Sequence, residues 1–258
     1  MKNGKNIFAI VMAAGKGTRI GATDRPKVMF EVSGKPIIGW GIEPLDQLKK
    51  EGTIDRIITV VGFFGNQVID YLEGKSEFVW QKEQLGTGHA VKMAEKALAD
   101  ENGYTIIVNG DHALYTKPTY EKVIDTAIRE GLTLGFATVV SQRFESYGRV
   151  VRDSNGNVIE IIEVPEATEE QKNIKERSIN LYIVDNKWLF QALPKIPQSA
   201  VKKEYYIVDI VKMAIAEGKK VETIQIDDED EALGVNTLED KAETEEILKR
   251  RQSLDIDK

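Results

Sequence analysis

The sequence predicts an α/β fold: a mostly parallel sheet with helices on both faces and a small β-rich lobe inserted late in the chain. Three observations carry that prediction. Unbroken apolar runs rich in β-branched residues recur along the first half, stretches of helical spacing separate them, and the rhythm changes after about residue 141. A strand covered on both faces has no polar side to alternate with, and an intervening helix returns the chain for parallel pairing.

The elements follow in order. "IFAIVM" (7–12), "RIITVVG" (56–62), "YTIIVNGD" (104–111) and "LTLGFATVV" (132–140) read as buried strands, and 36–50, 64–73, 88–99 and 118–130 as helices. "YGRVVRDSNGNVIEIIEV" (147–164) is a hairpin, because alternating strands flank an Asn-Gly turn. "PEATEEQKNIKE" (165–176), polar, acidic and opened by proline, reads as a solvated connector. "RSINLYIVD" (177–185) is a strand, and "NKWLFQALPKI" (186–196) is helical until Pro194 stops it. "EYYIVDIVKMAIAEG" (204–218) is a helix closed by glycine, "KVETIQI" (220–226) a short strand and 237–252 a charged terminal helix. With no repeat or Ser/Gly linker, residues 1–258 are expected to form one domain, decorated by a lobe over about 141–200.

Bulk chemistry excludes several classes of function. Hydrophobic residues make up 41% and charged residues 30% of the 258, the balance of a soluble globular chain. A net charge of −7 speaks against a nucleic-acid-coating surface, so any bound anion must be held by local Lys and Arg. Cysteine is absent, which removes disulfides, thiolate metal sites and a Cys nucleophile and fits a cytoplasmic protein. The apolar run after Met1 is too short for a signal peptide, and no stretch approaches the roughly 20 residues of a membrane helix. Small-molecule partners are expected, with no nucleic acid and no membrane. The oligomeric state is not legible.

The first strand empties into "MAAGKGTR" (12–19). Ala13 and Ala14 keep the walls low, and Gly15 and Gly17 allow close backbone approach and positive φ. Such a nest of N–H groups suits a triphosphate, with Lys16, Arg19 and Lys27 around it as charge. The dinucleotide pattern GxGxxG fails because the third glycine is Gly21, one residue late, and no Gly-Lys-Ser/Thr follows for a P-loop. A glycine turn that only redirects the chain is the competing reading. "RPK" (25–27) weighs against it, since Pro26 stiffens the loop and presents Lys27 at a fixed place. Asp111 ends the third apolar strand, where a ligand-facing carboxylate belongs in an open α/β sheet; a turn former after "NG" is the bland alternative.

These motifs do not stand alone. "MAAGKGTR…RPKVMFEVSGKPII", "WQKEQLGTGHAV" (80–91), "NGD" (109–111), "YGR" (147–149), "IIE" (161–163), "EYYIVDIV" (204–211) and "LGVN" (233–236) together resemble the sugar-phosphate nucleotidyltransferases. Their order and spacing are those of the uridylyltransferase domain of bifunctional UDP-N-acetylglucosamine pyrophosphorylase/acetyltransferases, over roughly residues 6–250. The resemblance implies a Rossmann-like three-layer fold. It also implies a Mg²⁺-dependent reaction in which N-acetylglucosamine 1-phosphate attacks the α-phosphorus of UTP and pyrophosphate leaves.

By the same resemblance Met12, Ala13, Ala14, Gly15, Gly17 and Thr18 surround the nucleotide, Arg19 faces the leaving pyrophosphate, and Lys27 holds phosphate oxygens at the reacting centre. Gln81, Gln84 and the backbone of Gly86 and Thr87 read uracil, Asp111 and Asn236 hold Mg²⁺, and Gly148, Glu163 and Asn180 contact the sugar. Local alternatives stay open: the Gln81–Thr87 loop as a helix cap, Asn236 as the cap of the terminal helix, and His89 as packing.

Two departures fall near the sugar. "NLY" (180–182) stands where the family reads Asn-Thr-Gly, so Leu181 is expected to reshape the pocket; His112 of "HAL" (112–114) either contacts the sugar or packs. "DDEDE" (227–231) reads as a solvated loop open to extra divalent ions, and no hexapeptide period follows for an acetyltransferase half. The rival functions are the same chemistry on another sugar 1-phosphate or with dTTP, a cytidylyltransferase, and a nucleotide-sugar-binding protein without turnover.

Overall fold

A computed structural model describes residues 4–200 and 202–256; residues 1–3, 201 and 257–258 of the expected 1–258 domain lie outside the described residues. In chain order the elements are β1 (Asn6–Ala13), β2 (Glu31–Val32), β3 (Lys35–Pro36), α1 (Ile37–Lys50), β4 (Arg56–Val61), α2 (Gly65–Tyr71) and β5 (Glu77–Trp80). They continue with α3 (Thr87–Lys92), α4 (Glu95–Leu98), β6 (Gly103–Asn109), α5 (Lys117–Glu130), β7 (Leu134–Val140), β8 (Arg149–Arg152) and β9 (Val158–Ile162). The last are α6 (Glu169–Lys172), β10 (Glu176–Asp185), α7 (Asn186–Ala192), α8 (Asp209–Ala216), β11 (Val221–Gln225) and α9 (Leu238–Ile256).

Among the described residues nine strands form one sheet, with the path β11-β7-β10-β6-β1-β4-β5 and the β8–β9 hairpin joined to it through β10. β1 pairs in parallel with β4 and β6, β4 with β5, and β7 with β11; β10 alone on this path runs antiparallel to both its neighbours. The chain leaves β1 toward β4 and β5 and later returns to its other side as β6. Order reverses there, and the loops at the carboxyl ends of β1 and β6 diverge to leave a crevice.

β1 shows why the run is unbroken. Ile7, Ala9, Val11 and Ala13 pack into one core cluster with α1 and α5, while Phe8, Ile10, Met12 and Ala14 pack into a second with α3, α7 and α8. Successive side chains enter opposite cores, so every position is apolar. A third cluster joins Ile20 and Val32 to Leu114, Val235, Ile247 and Leu248, docking α9 behind the glycine loop. No helix among the described residues is long and apolar enough to cross a membrane.

Four of the expected elements differ in the structure, and β5 is an addition to them. The 88–99 helix breaks at Met93–Ala94, where Ala94 N donates to Val91 O at 3.0 Å in the tighter i→i+3 pattern. The 204–218 helix begins only at Asp209, because Tyr205 is used instead as a bridge: its N–H donates to Leu85 O and its carbonyl accepts from Gly88 N, both at 2.8 Å. The 165–176 connector contains α6, which carries a capping box of Thr168 and Gln171. The acidic 227–231 run is not loose. Asp228 meets Arg251, Asp230 meets Arg143, and Glu231 is buried and accepts from Thr116 N at 2.9 Å.

Candidate active site

Two cavities open at the carboxyl ends of β1 and β6. The larger, about 340 Å³, is walled by Met12, Ala13, Ala14 and Gly15 from the first loop and by Gln81, Gln84, Gly86 and Thr87 from the loop before α3. The smaller, about 210 Å³, includes Gly148, Glu163 and Asn180. Arg19, Asn109, Asp111 and Asn236 line both. Apart from Gly17 and Thr18, the residues expected at nucleotide, sugar and metal thus converge on one place, the first two groups on either side of Asp111 and Asn236. Gly17, Thr18 and the exposed Lys16 do not line either cavity.

Gly17 serves the loop another way. Its φ is +71°, and a Cβ there would lie 2.5 Å from the Cβ of Lys27. Glycine is therefore what lets the nest fold back onto the lysine. Gly15 has no such need, since a Cβ on it meets nothing within 4 Å and it faces open cavity instead. Buried Pro26 precedes the short 3₁₀ turn Lys27–Met29, which sets the direction of the lysine side chain.

Lys27 points at Asp111 and Asn236 rather than at the open nest. Its ammonium donates to Asp111 Oδ2 and, at 2.8 Å, to Asn236 Oδ1, which also accepts from Arg19 at 2.8 Å. The carboxylate explains the choice, for the Asp111 side chain is only 13% exposed and takes the nearest cation. Burial opposes its ionisation, but the Lys27 charge and hydrogen bond prevail and hold the carboxyl below its usual range. Asp111 Oδ1 is buried with no hydrogen-bond partner. Asn236 is not the cap of α9, since Asp240 N donates to Thr237 Oγ1 and Asp240 accepts from the N–H groups of Asn236 and Thr237. Its side chain is left to face the crevice.

In the loop before α3, Gln81 is buried and donates to Gly86 O at 3.0 Å, while Gln84 donates to the carbonyl of Gln81 at 3.2 Å. Both glutamines line the larger cavity, but part of each amide is spent on shaping the loop. His89 pairs through Nδ1 with Gln81 Nε2 at 3.0 Å, a packing role as expected. Gly86 has φ +98°, and a Cβ there would sit 2.5 Å from Tyr205 O. Gly86→Ala is expected to destabilise the fold by about 1–3 kcal/mol in a denaturant titration, through backbone strain and displacement of the Tyr205 bridge.

In the smaller cavity the bulge of β10 is decisive. The register against β7 shifts between Ser178 and Tyr182, and Asn180 within it is left-handed at φ +58°. A bulge re-aims a strand side chain, and asparagine tolerates that conformation. Leu181 corrects an expectation: it is fully buried in the first core cluster, opposite Val108, and does not line the cavity. Ser178 and Tyr182 do, and their hydroxyls are buried without a partner in hydrogen-bonding geometry. Neither was expected as a site residue, although alternation along β10 puts both on the face of Asn180. Tyr206 in the larger cavity and Asn109 in both were missed too. His112 packs, 2% exposed, stacked on Tyr115 at 4.9 Å, with its ring edge on the smaller cavity.

Gly148 approaches the hairpin so closely that a Cβ would lie 2.7 Å from Ile161 Cγ2. Glu163 is pushed to a higher pKa by burial and then by the charges of Glu166 and Asp209. An acid whose folded pKa is raised binds more protons folded than unfolded, so it lowers stability as pH rises through the unfolded value. Glu163→Gln should therefore raise Tm at neutral pH by about 2–4 °C, equivalent to about 1 kcal/mol for a chain this size. The gain should vanish below about pH 4, where both states are protonated.

Residues 8–234 match the family described as nucleotidyl transferase. The chain is 37% identical over 246 residues to the bifunctional protein GlmU of Lactococcus lactis subsp. lactis (strain IL1403), covering 95% of this chain and 53% of that protein. It is 37% identical over 244 residues to the bifunctional protein GlmU of Streptococcus agalactiae serotype V (strain ATCC BAA-611 / 2603 V/R), covering 95% of this chain and 52% of that protein. The chain thus spans about half the length of the curated relatives it matches. Among solved structures the fold superposes on a UDP-glucose pyrophosphorylase complexed with UDP-glucose, with a TM-score of 0.75 at 18% identity, covering 95% of this chain and 99% of that one. A 4-diphosphocytidyl-2C-methyl-D-erythritolsynthase from Anaerococcus prevotii DSM 20548 gives 0.68 at 19%, covering 96% and 97%. The fold is therefore the Rossmann-like α/β architecture those structures share, and this chain belongs to the nucleotidyl transferase family.

Proposed function

We propose that this domain joins UTP to N-acetylglucosamine 1-phosphate, releasing pyrophosphate and UDP-N-acetylglucosamine, as a Mg²⁺-dependent cytoplasmic step of nucleotide-sugar synthesis. The observation that carries the reading is the shared wall: Arg19, Asn109, Asp111 and Asn236 separate and join the two cavities. In-line displacement needs the attacking oxygen and the leaving group on opposite sides of one phosphorus. Two cavities meeting at such a wall provide that arrangement. The sugar assignment is the finer part of the proposal and rests on the motifs around Gly148, Glu163 and Asn180.

The wall fits a hard divalent cation. Asp111 Oδ1 is buried without a hydrogen bond, His112 Nε2 standing off at 3.8 Å, and Asn236 Oδ1 faces it across Lys27, a carboxylate and an amide oxygen of the kind Mg²⁺ takes beside phosphate oxygens and water. Bound there, Mg²⁺ supplies neutralisation of the phosphate oxygens. The chain does the rest by position. Lys27 carries positive charge to the junction, and Arg19 holds the side of the leaving pyrophosphate. The Gly15 nest takes phosphate oxygens on N–H groups, and the glutamine loop presents its remaining polar edge to uracil. Glu163, Asn180, Ser178 and Tyr182 offer the sugar hydroxyls and acetamido group hydrogen bonds. No covalent nucleophile is needed.

A panel of UTP, dTTP and CTP against N-acetylglucosamine 1-phosphate and glucose 1-phosphate, read by pyrophosphate release, tests the assignment. UTP with N-acetylglucosamine 1-phosphate should give the highest kcat/KM. A glucose 1-phosphate rate far above it, or a preference for CTP, would overturn the substrate choice.

A further inference from the structure

Behind the smaller cavity, β8 and β10 set two arginines side by side: Arg149 pairs with Arg177 in antiparallel register. They are 3% and 2% exposed. Buried charges of one sign are costly unless each finds a counter-charge. Neither guanidinium forms an ion pair among the described residues. Their hydrogen bonds go to carbonyls instead: Arg149 to Lys172 O at 3.2 Å, Glu145 O at 3.0 Å and Tyr147 O, and Arg177 to Arg143 O at 3.4 Å and Ile174 O. Burial, and for Arg177 the adjacent Arg149 charge, pulls both below the usual arginine pKa, the mark of cations short of compensation.

Arg149 and Arg177 line a cavity of about 300 Å³ with Lys172, Lys175 and one acidic residue, Glu145. Lys172 already meets Glu169 at 2.7 Å, whereas Lys175 has no ion pair among the described residues. Glu163 acts on Arg149 from the other side, within the smaller cavity. The hollow is thus strongly positive in a chain of net charge −7, and it shares no wall residue with the two cavities of the active site.

We propose that this hollow is a second binding site, for a phosphate-class oxyanion. The guanidinium N–H groups not spent on carbonyls, those of Arg177 Nη2 among them, remain for phosphate oxygens, and Lys175 closes the rim as a point charge. The volume is at the lower end for a small-ligand cavity, so it admits a phosphoryl group alone or on a small carrier. Arg149 follows Gly148 and holds the carbonyls of Glu145 and Tyr147, which places the oxyanion directly behind the loop of the proposed sugar cavity.

Isothermal titration of the full chain at low salt tests this, with inorganic phosphate in one arm and glucose 6-phosphate in the other. Saturable binding is expected in the wild type and in Lys27→Ala, weakened at least about tenfold by Lys175→Glu. Lys175 is exposed, so its substitution leaves the carbonyl staples of the arginines intact, and unchanged thermal unfolding without phosphate verifies that. Arg177→Gln should abolish binding. Tighter binding of glucose 6-phosphate assigns the phosphoryl group to a metabolite, and equal affinity assigns it to the free ion. Binding lost in Lys27→Ala but unchanged in Lys175→Glu, or no saturable binding in either arm, overturns the proposal and leaves the arginines as staples.

Discussion

Replacing Lys27 with alanine should lower kcat about 10²–10³-fold, the cost of about 3–4 kcal/mol for losing one preorganised donor at a reacting oxyanion. The lysine is fixed from three directions: buried Pro26 before it, the 3₁₀ turn after it, and Gly17 packed so near that any side chain there would displace it. Its charge therefore stands at the junction before substrate arrives, and little reorganisation is spent when the phosphorus becomes five-coordinate. The loss should fall on kcat with KM for UTP nearly unchanged, since a group acting mainly in the transition state shows that split. Arginine should not rescue, because its planar fork cannot take the place of a compact ammonium held between Asp111 and Asn236. A rise in KM with kcat intact would show that Lys27 only helps to bind the nucleotide.

Asp111→Asn should remove the Mg²⁺ dependence together with the turnover, and it should also destabilise the fold by about 3–5 kcal/mol. The two effects have different origins. Activity is lost because the carboxylate that faces the shared wall is gone. Stability is lost because the Lys27 ammonium, 16% exposed, is left without its counter-charge. The pair holds the carboxyl below its ordinary value, so its contribution is fully present above the unfolded carboxylate range and disappears as pH falls through the folded value. Melting temperatures of wild type and variant should accordingly begin to converge as pH falls below about 4 and meet only below the folded value. Adding Lys27→Met to Asp111→Asn should restore most of the stability and none of the turnover. Turnover retained in Asp111→Asn with normal Mg²⁺ response would remove Asp111 from the metal site.

The alternation of β1 into two cores made the sheet legible, as did the apolar runs of β4, β6 and β7. Less legible were elements whose reasons are tertiary. β5 is a short strand whose side chains are half-buried or exposed, so it lacks the apolar run that marks its neighbours. Residues 204–208 carry helical spacing, but the hydrogen bonds of Tyr205 to Leu85 and Gly88 outweigh local propensity, and Ile207 and Val208 form only a turn before α8 begins. Motif positions singled out Arg19, Lys27, Asp111 and Asn236, which line or adjoin one wall, yet not that Lys27 rests on Asp111 and Asn236, because that depends on burial of Asp111. Leu181 shows the converse limit. Its position in the "NLY" motif suggested the pocket, whereas the period of the strand places it in the core and Tyr182 on the cavity.

Pyrophosphate release from UTP and N-acetylglucosamine 1-phosphate, measured with Mg²⁺ and again after EDTA, bears most directly on transfer across the shared wall. Steady turnover that EDTA abolishes and added Mg²⁺ restores is the expected result. Turnover indifferent to EDTA, or tight UDP-N-acetylglucosamine binding with no pyrophosphate released in Mg²⁺, would contradict it.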